Sequence, residues 1–256
     1  MNHKKYDIFL ITGGTGGHVF PAISFSEYLS SKGISNLIVT DIRGLNYFDK
    51  KKYKTKIISS SHLNKRNFGI ILAIIKLFIG FFQFNILLFY NKPKNIITFG
   101  SYTSFMPIIC TIIFKKLFKT KIYFHEQNSV VGKVHKFFLR FSENIFLTFK
   151  STKGINLKFK AVHTGFPLRK EIKKYKKNHY VINRKTKKLN LFVFGGSQGA
   201  SNLSKIIVEL LIKLSGSQQK LVNLTLQAPK NNIKELELEL NKTKVNYEIN
   251  TFYKDI

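Results

Sequence analysis

The chain has 256 residues, 44% of them hydrophobic and 14% aromatic, with 43 Lys and Arg against 13 Asp and Glu for a formal charge of +30. That apolar content excludes wholesale disorder, and the length suits one large or two smaller domains of ~100–200 residues each. The single Cys110 excludes a disulfide framework and any multi-cysteine zinc or iron–sulfur site, which suits a reducing compartment.

The N-terminal segment runs a short apolar stretch directly into glycines and lacks the form of a secretion signal. β-rich runs fall at 6–12, 36–40, 56–59, 95–99, 121–125 and 144–148, with helix-length stretches at about 20–32, 68–90, 103–118 and 131–141. Strands without strict alternation, joined by helical crossovers, predict a parallel sheet covered on both faces. The stretch 168–188 carries ten basic residues against Glu171 alone and reads as an exposed linker that could include a surface helix. The pattern then restarts with a strand at 189–194, a helix at about 200–214, a strand at 221–227, a Glu-rich helix and a strand near 245–249. So small a parallel sheet leaves much of its core uncovered, so this second unit reads as a fragment of a larger domain.

The basic excess fits anionic partners: nucleic acid, phosphorylated metabolites or acidic lipid. Only Arg43, Arg66, Arg140, Arg169 and Arg184 are arginines, however, amid abundant Ile, Asn and Phe, a mixture that AT-rich coding yields without any ligand. No nucleic-acid-binding module is apparent in the sequence.

Each half opens alike, with an apolar strand, a glycine cluster and a helix. The first cluster is Gly13-Gly14-Thr15-Gly16-Gly17-His18 and the second Gly195-Gly196-Ser197-Gln198-Gly199-Ala200. Glycines let the backbone turn tightly and approach a ligand, and the unpaired N–H groups of the following helix suit phosphate. Neither cluster ends in Gly-Lys-Ser/Thr, so a P-loop nucleotidase is excluded. Val19 stands at the third glycine of the dinucleotide fingerprint, and His125-Glu126 lacks the zinc-protease spacing. No Asp-x-Asp occurs, so a bound diphosphate must rely on helix N-termini, hydroxyls and basic side chains, with neither metal nor cofactor expected.

The run from Gly13 through His18, Val19 and Phe20 to Pro21 closely resembles the opening motif of the MurG family, the peptidoglycan-precursor N-acetylglucosaminyltransferases. His125-Glu126-Gln127-Asn128 and Gly195-Gly196-Ser197-Gln198-Gly199-Ala200 match its next signatures in the family's order. The resemblance spans the whole chain and about the first two thirds of the family's usual length. Two places depart from it: Gly100-Ser101-Tyr102 stands for a usual Gly-Gly-Tyr, and Gly165-Phe166-Pro167-Leu168-Arg169 for Gly-Asn-Pro-x-Arg.

The resemblance implies an α/β fold of GT-B type, with two Rossmann-like parallel-sheet domains across a cleft, the second truncated here. Residues 1–167 would form the acceptor- and membrane-binding domain, 168–188 a basic linker, and 189–256 part of the donor-binding domain. The implied reaction moves GlcNAc from UDP-GlcNAc, with inversion, to the 4-hydroxyl of undecaprenyl-diphosphate-linked muramoyl-pentapeptide. By itself the 256-residue stretch is not expected to complete that transfer.

In this resemblance Thr15, Gly16 and Gly17 present backbone N–H groups to the sugar donor or the acceptor diphosphate. His18 accepts the proton of the attacking hydroxyl, as histidines suit a base near neutral pH, or else serves in capping or loop packing. Asn128 bonds sugar hydroxyls or forms a turn, and Arg169 pairs with phosphate or a nucleobase carbonyl or is a solvated linker residue. Ser197 bonds the UDP diphosphate, Gln198 is a weaker contact, and the backbone of Tyr253 faces uracil. His135 and His163 lack nearby partners in sequence and receive no role.

The apolar segment 68–90, whose only charge is Lys76, is long enough to cross a membrane. Crossing would put the strands at 56–59 and 95–99 on opposite sides of a bilayer, although both fit one sheet. Gly69, Lys76, Gly80 and Gln83 form one small or polar stripe. Flanked by Lys65, Arg66, Lys92 and Lys94, the segment fits peripheral docking onto an anionic membrane surface, with Phe81 and Phe82 expected at the lipid. A buried helix and a spanning helix are the alternatives. With a polyprenyl-linked acceptor, docking implies the cytoplasmic face of the plasma membrane. The rival functions are a GT-B transferase for another nucleotide sugar and a basic nucleic-acid-binding protein; nucleic acid is not expected as a partner.

Overall fold

The structure is a computed structural model that describes residues 5–49, 51–61, 68–155, 160–174, 188–195, 201–251 and 253. It divides into two compact units, Met1–Lys176 and Lys177–Ile256.

The first unit holds strands β1 (Ile8–Ile11), β2 (Asn36–Thr40), β3 (Thr55–Ile57), β4 (Asn95–Thr98), β5 (Lys121–Glu126), β6 (Asn144–Leu147) and β7 (Ala161–His163). They form one parallel sheet in the order β3-β2-β1-β4-β5-β6-β7. Successive side chains of a strand point to opposite faces. Phe9 and Ile11 therefore join Leu37, Val39 and Ile96 on one face, while Leu10 joins Ile38 and Ile97 on the other. Helix α1 (Gly16–Ser31) covers the second face through Val19, Ala22 and Ile23. A single turn, α2 (Ile42–Leu45), follows β2 and is capped by Asp41, whose side chain accepts from the Gly44 N–H. Helices α3 (Phe68–Asn91), α4 (Phe105–Phe118) and α5 (Lys133–Phe138) supply the cover of the first face, and α6 (Lys170–Lys174) is a short basic helix.

The apolar segment forms helix α3. Phe84 and Leu88 are fully buried on the sheet with Phe9 and Ile96, and the strands on either side of the helix in sequence, β3 and β4, lie in the same sheet. By length and composition α3 could cross a membrane, but crossing would pull one of those strands away. Nor is it an ordinary buried helix, since Ile71, Leu72, Phe78, Phe82, Ile86 and Tyr90 are exposed. The stripe of Gly80 and Gln83 faces the chain after β3: Ser59 N–H donates to Gln83 Oε1 at 2.7 Å, and a Cβ on Gly80 would lie 2.0 Å from the Ser59 carbonyl oxygen. Phe81 corrects one expectation. It is half-buried against the sheet core, and its carbonyl accepts from Cys110 Sγ at 3.6 Å, so Phe82 alone of that pair is exposed. Burial pushes the Cys110 thiol up to about 12.

The second unit carries β8 (Leu189–Val193), α7 (Ser201–Ile212), α8 (Gly216–Gln219), β9 (Val222–Gln227), α9 (Lys230–Leu240) and β10 (Asn246–Asn250). Its parallel sheet runs β10-β9-β8, and Val193, Leu224 and Leu226 pack with Val208, Leu211, Leu236 and Leu240 of the helices.

In the first sheet, β1 leads outward to β2 and β3, whereas β4 leads the other way to β7. Between β1 and β4 the winding reverses, with α1 after β1 on one face of the sheet and α4 after β4 on the other, and the carboxyl ends of strands at such a reversal are the usual ligand position in open parallel sheets.

Candidate active site

Both loops at this reversal are glycine turns. After β1, Gly14 adopts φ +77° and donates its N–H to Asp41 Oδ1 at 3.0 Å. Thr15 precedes α1 in extended conformation, and its side chain makes no cap. Among the described residues no protein acceptor takes the N–H groups of Gly16 and Gly17, which open the helix. Thr12 Oγ1 donates to the His18 carbonyl at 2.7 Å and ties the end of β1 to the first turn of α1. After β4, Gly100 and Ser101 both take positive φ, +82° and +72°. A Cβ on Gly100 would come within 3.2 Å of His18 Cε1, so the second loop lies against the imidazole.

Asp41 braces the first loop. Its Oδ1 also accepts from Gly44 N–H at 2.8 Å, while Oδ2 takes Arg43 Nε at 3.0 Å, Arg43 Nη2 at 2.9 Å and Ser60 Oγ at 3.1 Å. Burial alone would raise its carboxyl, but the Gly14 and Gly44 N–H groups and the Arg43 guanidinium outweigh that and hold it below the usual value.

A directed hydrogen-bond chain fixes His18. Its Nδ1 lies 2.7 Å from the Phe99 carbonyl, which can only accept, so Nδ1 carries the proton. Gln127 Oε1, at 3.2 Å, is a second acceptor for that proton. The amide of Gln127 is oriented in turn, because Nε2 donates to the His125 carbonyl at 2.8 Å and to His125 Nδ1 at 3.0 Å. His125 therefore carries its proton on Nε2 and donates it to the Gly165 carbonyl at 3.2 Å. Burial, with His135 nearby adding to it, lowers His125 to about 4 and keeps it neutral at physiological pH. At the far end of the chain, Nε2 of neutral His18 retains its lone pair.

Asn128 is held by the adjoining carboxylate. Glu126 Oε1 accepts both its backbone N–H, at 3.0 Å, and its side-chain Nδ2, at 2.9 Å, which leaves Oδ1 of this exposed residue as the outward acceptor. Glu126 Oε2 takes Gly132 N–H and His135 Nδ1, each at 3.0 Å, and Thr98 Oγ1 is 2.8 Å from His135 Nε2. Burial acts to raise Glu126, but His135, Gly132 and Asn128 overcome it and bring it down to about 2. His135 thus has a partner after all, a buried carboxylate brought to it by the turn between β5 and α5. His163 stays at the surface, with Nε2 3.2 Å from the Thr148 carbonyl.

Arg169 stacks its guanidinium 4.8 Å from the centroid of the Phe20 ring on α1. Thr15, Gly16, Gly17 and His18 thus stand together at one helix end, with Asn128 reached through the β5 terminus and Arg169 through Phe20. Ser197 and Gln198 lie outside the described residues, as do Lys65 and Arg66. Tyr253, in the second unit, directs its hydroxyl to the Glu248 carbonyl at 3.3 Å and sets its ring against Phe192.

Comparison with known proteins agrees with this architecture. Residues 8–147 match the glycosyltransferase family 28 N-terminal domain. The chain is 31% identical over 249 residues to the UDP-N-acetylglucosamine–N-acetylmuramyl-(pentapeptide) pyrophosphoryl-undecaprenol N-acetylglucosamine transferase of Rickettsia bellii, covering 96% of this chain and 68% of that one. The protein of the same name from Rickettsia canadensis is 33% identical over 255 residues, covering 97% and 69%. Among solved structures, Acinetobacter baumannii MurG superposes with a TM-score of 0.66 at 20% identity, over 98% of this chain and 69% of that one. A Rickettsia africae glycosyltransferase gives 0.59 at 14% identity, over 99% and 70%. The fold is thus α/β of GT-B type, with two Rossmann-like units, and the chain is a member of glycosyltransferase family 28. Within that class it belongs to the MurG family of transferases.

Proposed function

We propose that the protein transfers N-acetylglucosamine from UDP-N-acetylglucosamine to undecaprenyl-diphosphate-linked muramoyl-pentapeptide, with His18 as the general base. The observation that carries this reading is the tautomer of His18: Nδ1–H is held by Phe99 and Gln127, so Nε2 is the basic nitrogen at the reversal between β1 and β4. In the reaction the acceptor's 4-hydroxyl oxygen attacks the anomeric carbon and its proton passes to Nε2. The bond to UDP breaks on the opposite face, UDP leaves with the bonding pair, and configuration inverts. The two acceptors on Nδ1–H stabilise the imidazolium that forms.

Thr15, Gly16 and Gly17 line the sugar side of this reading, Asn128 Oδ1 accepts from a sugar hydroxyl, and Arg169 pairs with a phosphate or base carbonyl. On the donor side, Ser197 bonds the UDP diphosphate and the backbone at Tyr253 meets uracil. In this reading 1–167 is the acceptor domain, 168–188 the linker and 189–256 donor-binding. The exposed face of α3, close to Lys92 and Lys94, supports peripheral attachment to an anionic membrane at the cytoplasmic surface. The test is transfer of labelled N-acetylglucosamine to a lipid-linked acceptor by the protein expressed from its complete reading frame. His18→Ala is expected to lower kcat by roughly 10²–10⁴-fold with an unchanged unfolding midpoint; an unaltered kcat removes His18 as the base.

A further inference from the structure

The buried pair of Glu126 and His135 has no part in the chemistry described so far. The two residues are 2% and 1% exposed, so neither meets substrate directly, and any effect on it passes through a neighbour. Burying a carboxylate beside an imidazole is weak evidence for stability, because desolvation offsets the attraction. A better-attested use of such a pair is to fix one arrangement of the groups around it.

Three contacts lock the imidazole. The Phe124 ring stacks on it, 9° from parallel with centroids 4.6 Å apart, and Thr98 Oγ1 lies 2.8 Å from Nε2. Nδ1 lies 3.0 Å from Glu126 Oε2, on a carboxylate that only accepts, so Nδ1 carries a proton. The carboxylate is thereby filled. Gly132 N–H shares Oε2, and Oε1 is left to the backbone N–H and Nδ2 of Asn128. Of these donors, Asn128 Nδ2 is the only one on an exposed side chain. A surface amide that nothing holds can turn either its oxygen or its NH2 outward, and ordering it on binding costs affinity. Held by Nδ2, this one presents Oδ1.

We propose that His135 is a positioning residue for Asn128: its Nδ1–H fixes the Glu126 carboxylate, which holds the Asn128 amide with Oδ1 outward for a sugar hydroxyl. The identity of the sugar rests on the proposed transferase reading. Without the Nδ1 donor, only Gly132 N–H keeps Oε2 in place, and Oε1 can swing away from Asn128. The loss then falls on binding, since substrate must order a loosened amide.

Two variants separate the two ends of the imidazole. Asparagine places an N–H near the Nδ1 position and keeps a donor for Glu126, whereas glutamine reaches the Nε2 position and keeps only Thr98. His135→Gln is expected to raise KM for one of the two substrates about fivefold with kcat held, and His135→Asn to rescue most of that loss. On an Asn128→Ala background, His135→Gln is expected to add nothing. A general loss of packing would instead move both variants alike and persist without the Asn128 side chain. Equal KM values for the two variants, or a His135→Gln effect that survives Asn128→Ala, overturns the inference. Hydrogen exchange of the Asn128 side-chain amide, followed by ¹⁵N NMR, gives a second readout. In the wild type it is expected to run about tenfold slower than in free asparagine, and equal rates overturn the inference. That measurement uses neither a variant nor turnover, so it decides the proposal even where a variant does not fold or His18 is not the base.

Discussion

Gln127 is a neutral residue between two imidazoles, and its neutrality matters to both. Its amide must offer oxygen to His18 and nitrogen to His125, and the lone pair on His125 Nδ1 enforces that orientation. Gln127→Glu would place a carboxylate against His18 Nδ1–H and favour the imidazolium, which cannot take a proton. The acid limb of the kcat–pH profile is therefore expected to move to higher pH, while an unmoved profile shows that Gln127 does not act on the base.

The same cluster should make the fold acid-sensitive in a defined order. His125 falls from 6.5 to about 4 on folding, so its contribution is complete above 6.5 and is lost as pH drops through 4. Glu126 falls from 4.5 to about 2, so its contribution is complete above 4.5 and fades toward 2. Each is worth on the order of a few kcal/mol. Urea midpoints are expected to fall between pH 7 and pH 4.5, and His125→Gln to flatten that slope; equal midpoints at the two pH values would contradict it. The sequence made His18 and Asn128 legible through motif resemblance, but not what holds them. His135 and Glu126 are brought together by a turn, and Asp41 reaches Gly14 across the sheet, contacts that leave no spacing signal in the chain.

At the level of elements, length governs what can be read. The run expected at 36–40 is β2 itself, because the apolar triplet Leu37-Ile38-Val39, with two β-branched residues, is legible as a buried strand. β7 has three exposed residues and α2 four residues including a glycine, too short for any period to emerge, and both escaped the reading. Ser101 shows a different limit. Its positive φ is visible only in the structure, and there the serine occupies a backbone conformation that costs on the order of 1–3 kcal/mol for a residue with a side chain. The stripe on α3 was legible as a stripe, but the surface it faces was not. Gly80→Ala drives a methyl into the Ser59 carbonyl and is expected to destabilise by roughly 1–3 kcal/mol in chemical denaturation. A fully tolerated alanine would mean that α3 and the chain after β3 separate easily.

For the molecule as a whole, α3 joins two environments, core on one side and an exposed apolar surface on the other. Phe78 and Phe82 are 59% and 63% exposed, so replacing both with serine should cost little stability. The double variant is expected to lose sedimentation with anionic vesicles and keep its circular-dichroism melting curve; retained sedimentation would place membrane contact elsewhere. Phe81, by contrast, packs half-buried against the core and cannot serve in such a test.

The interior position of β1, between β2 and β4, also sets a schedule for making the protein. Ile8 pairs with Asn36 on one side and with Asn95 on the other, so one edge of β1 can be covered early in synthesis and the second only much later. Throughout that interval the ribosome delivers α3, whose inner face needs the finished sheet and whose outer face repels water. The nascent chain therefore carries an open strand edge and an unsheltered apolar helix together until β4 emerges just behind the helix. Pausing translation before residue 95 would lengthen that exposure, and pausing after the strand has emerged would not.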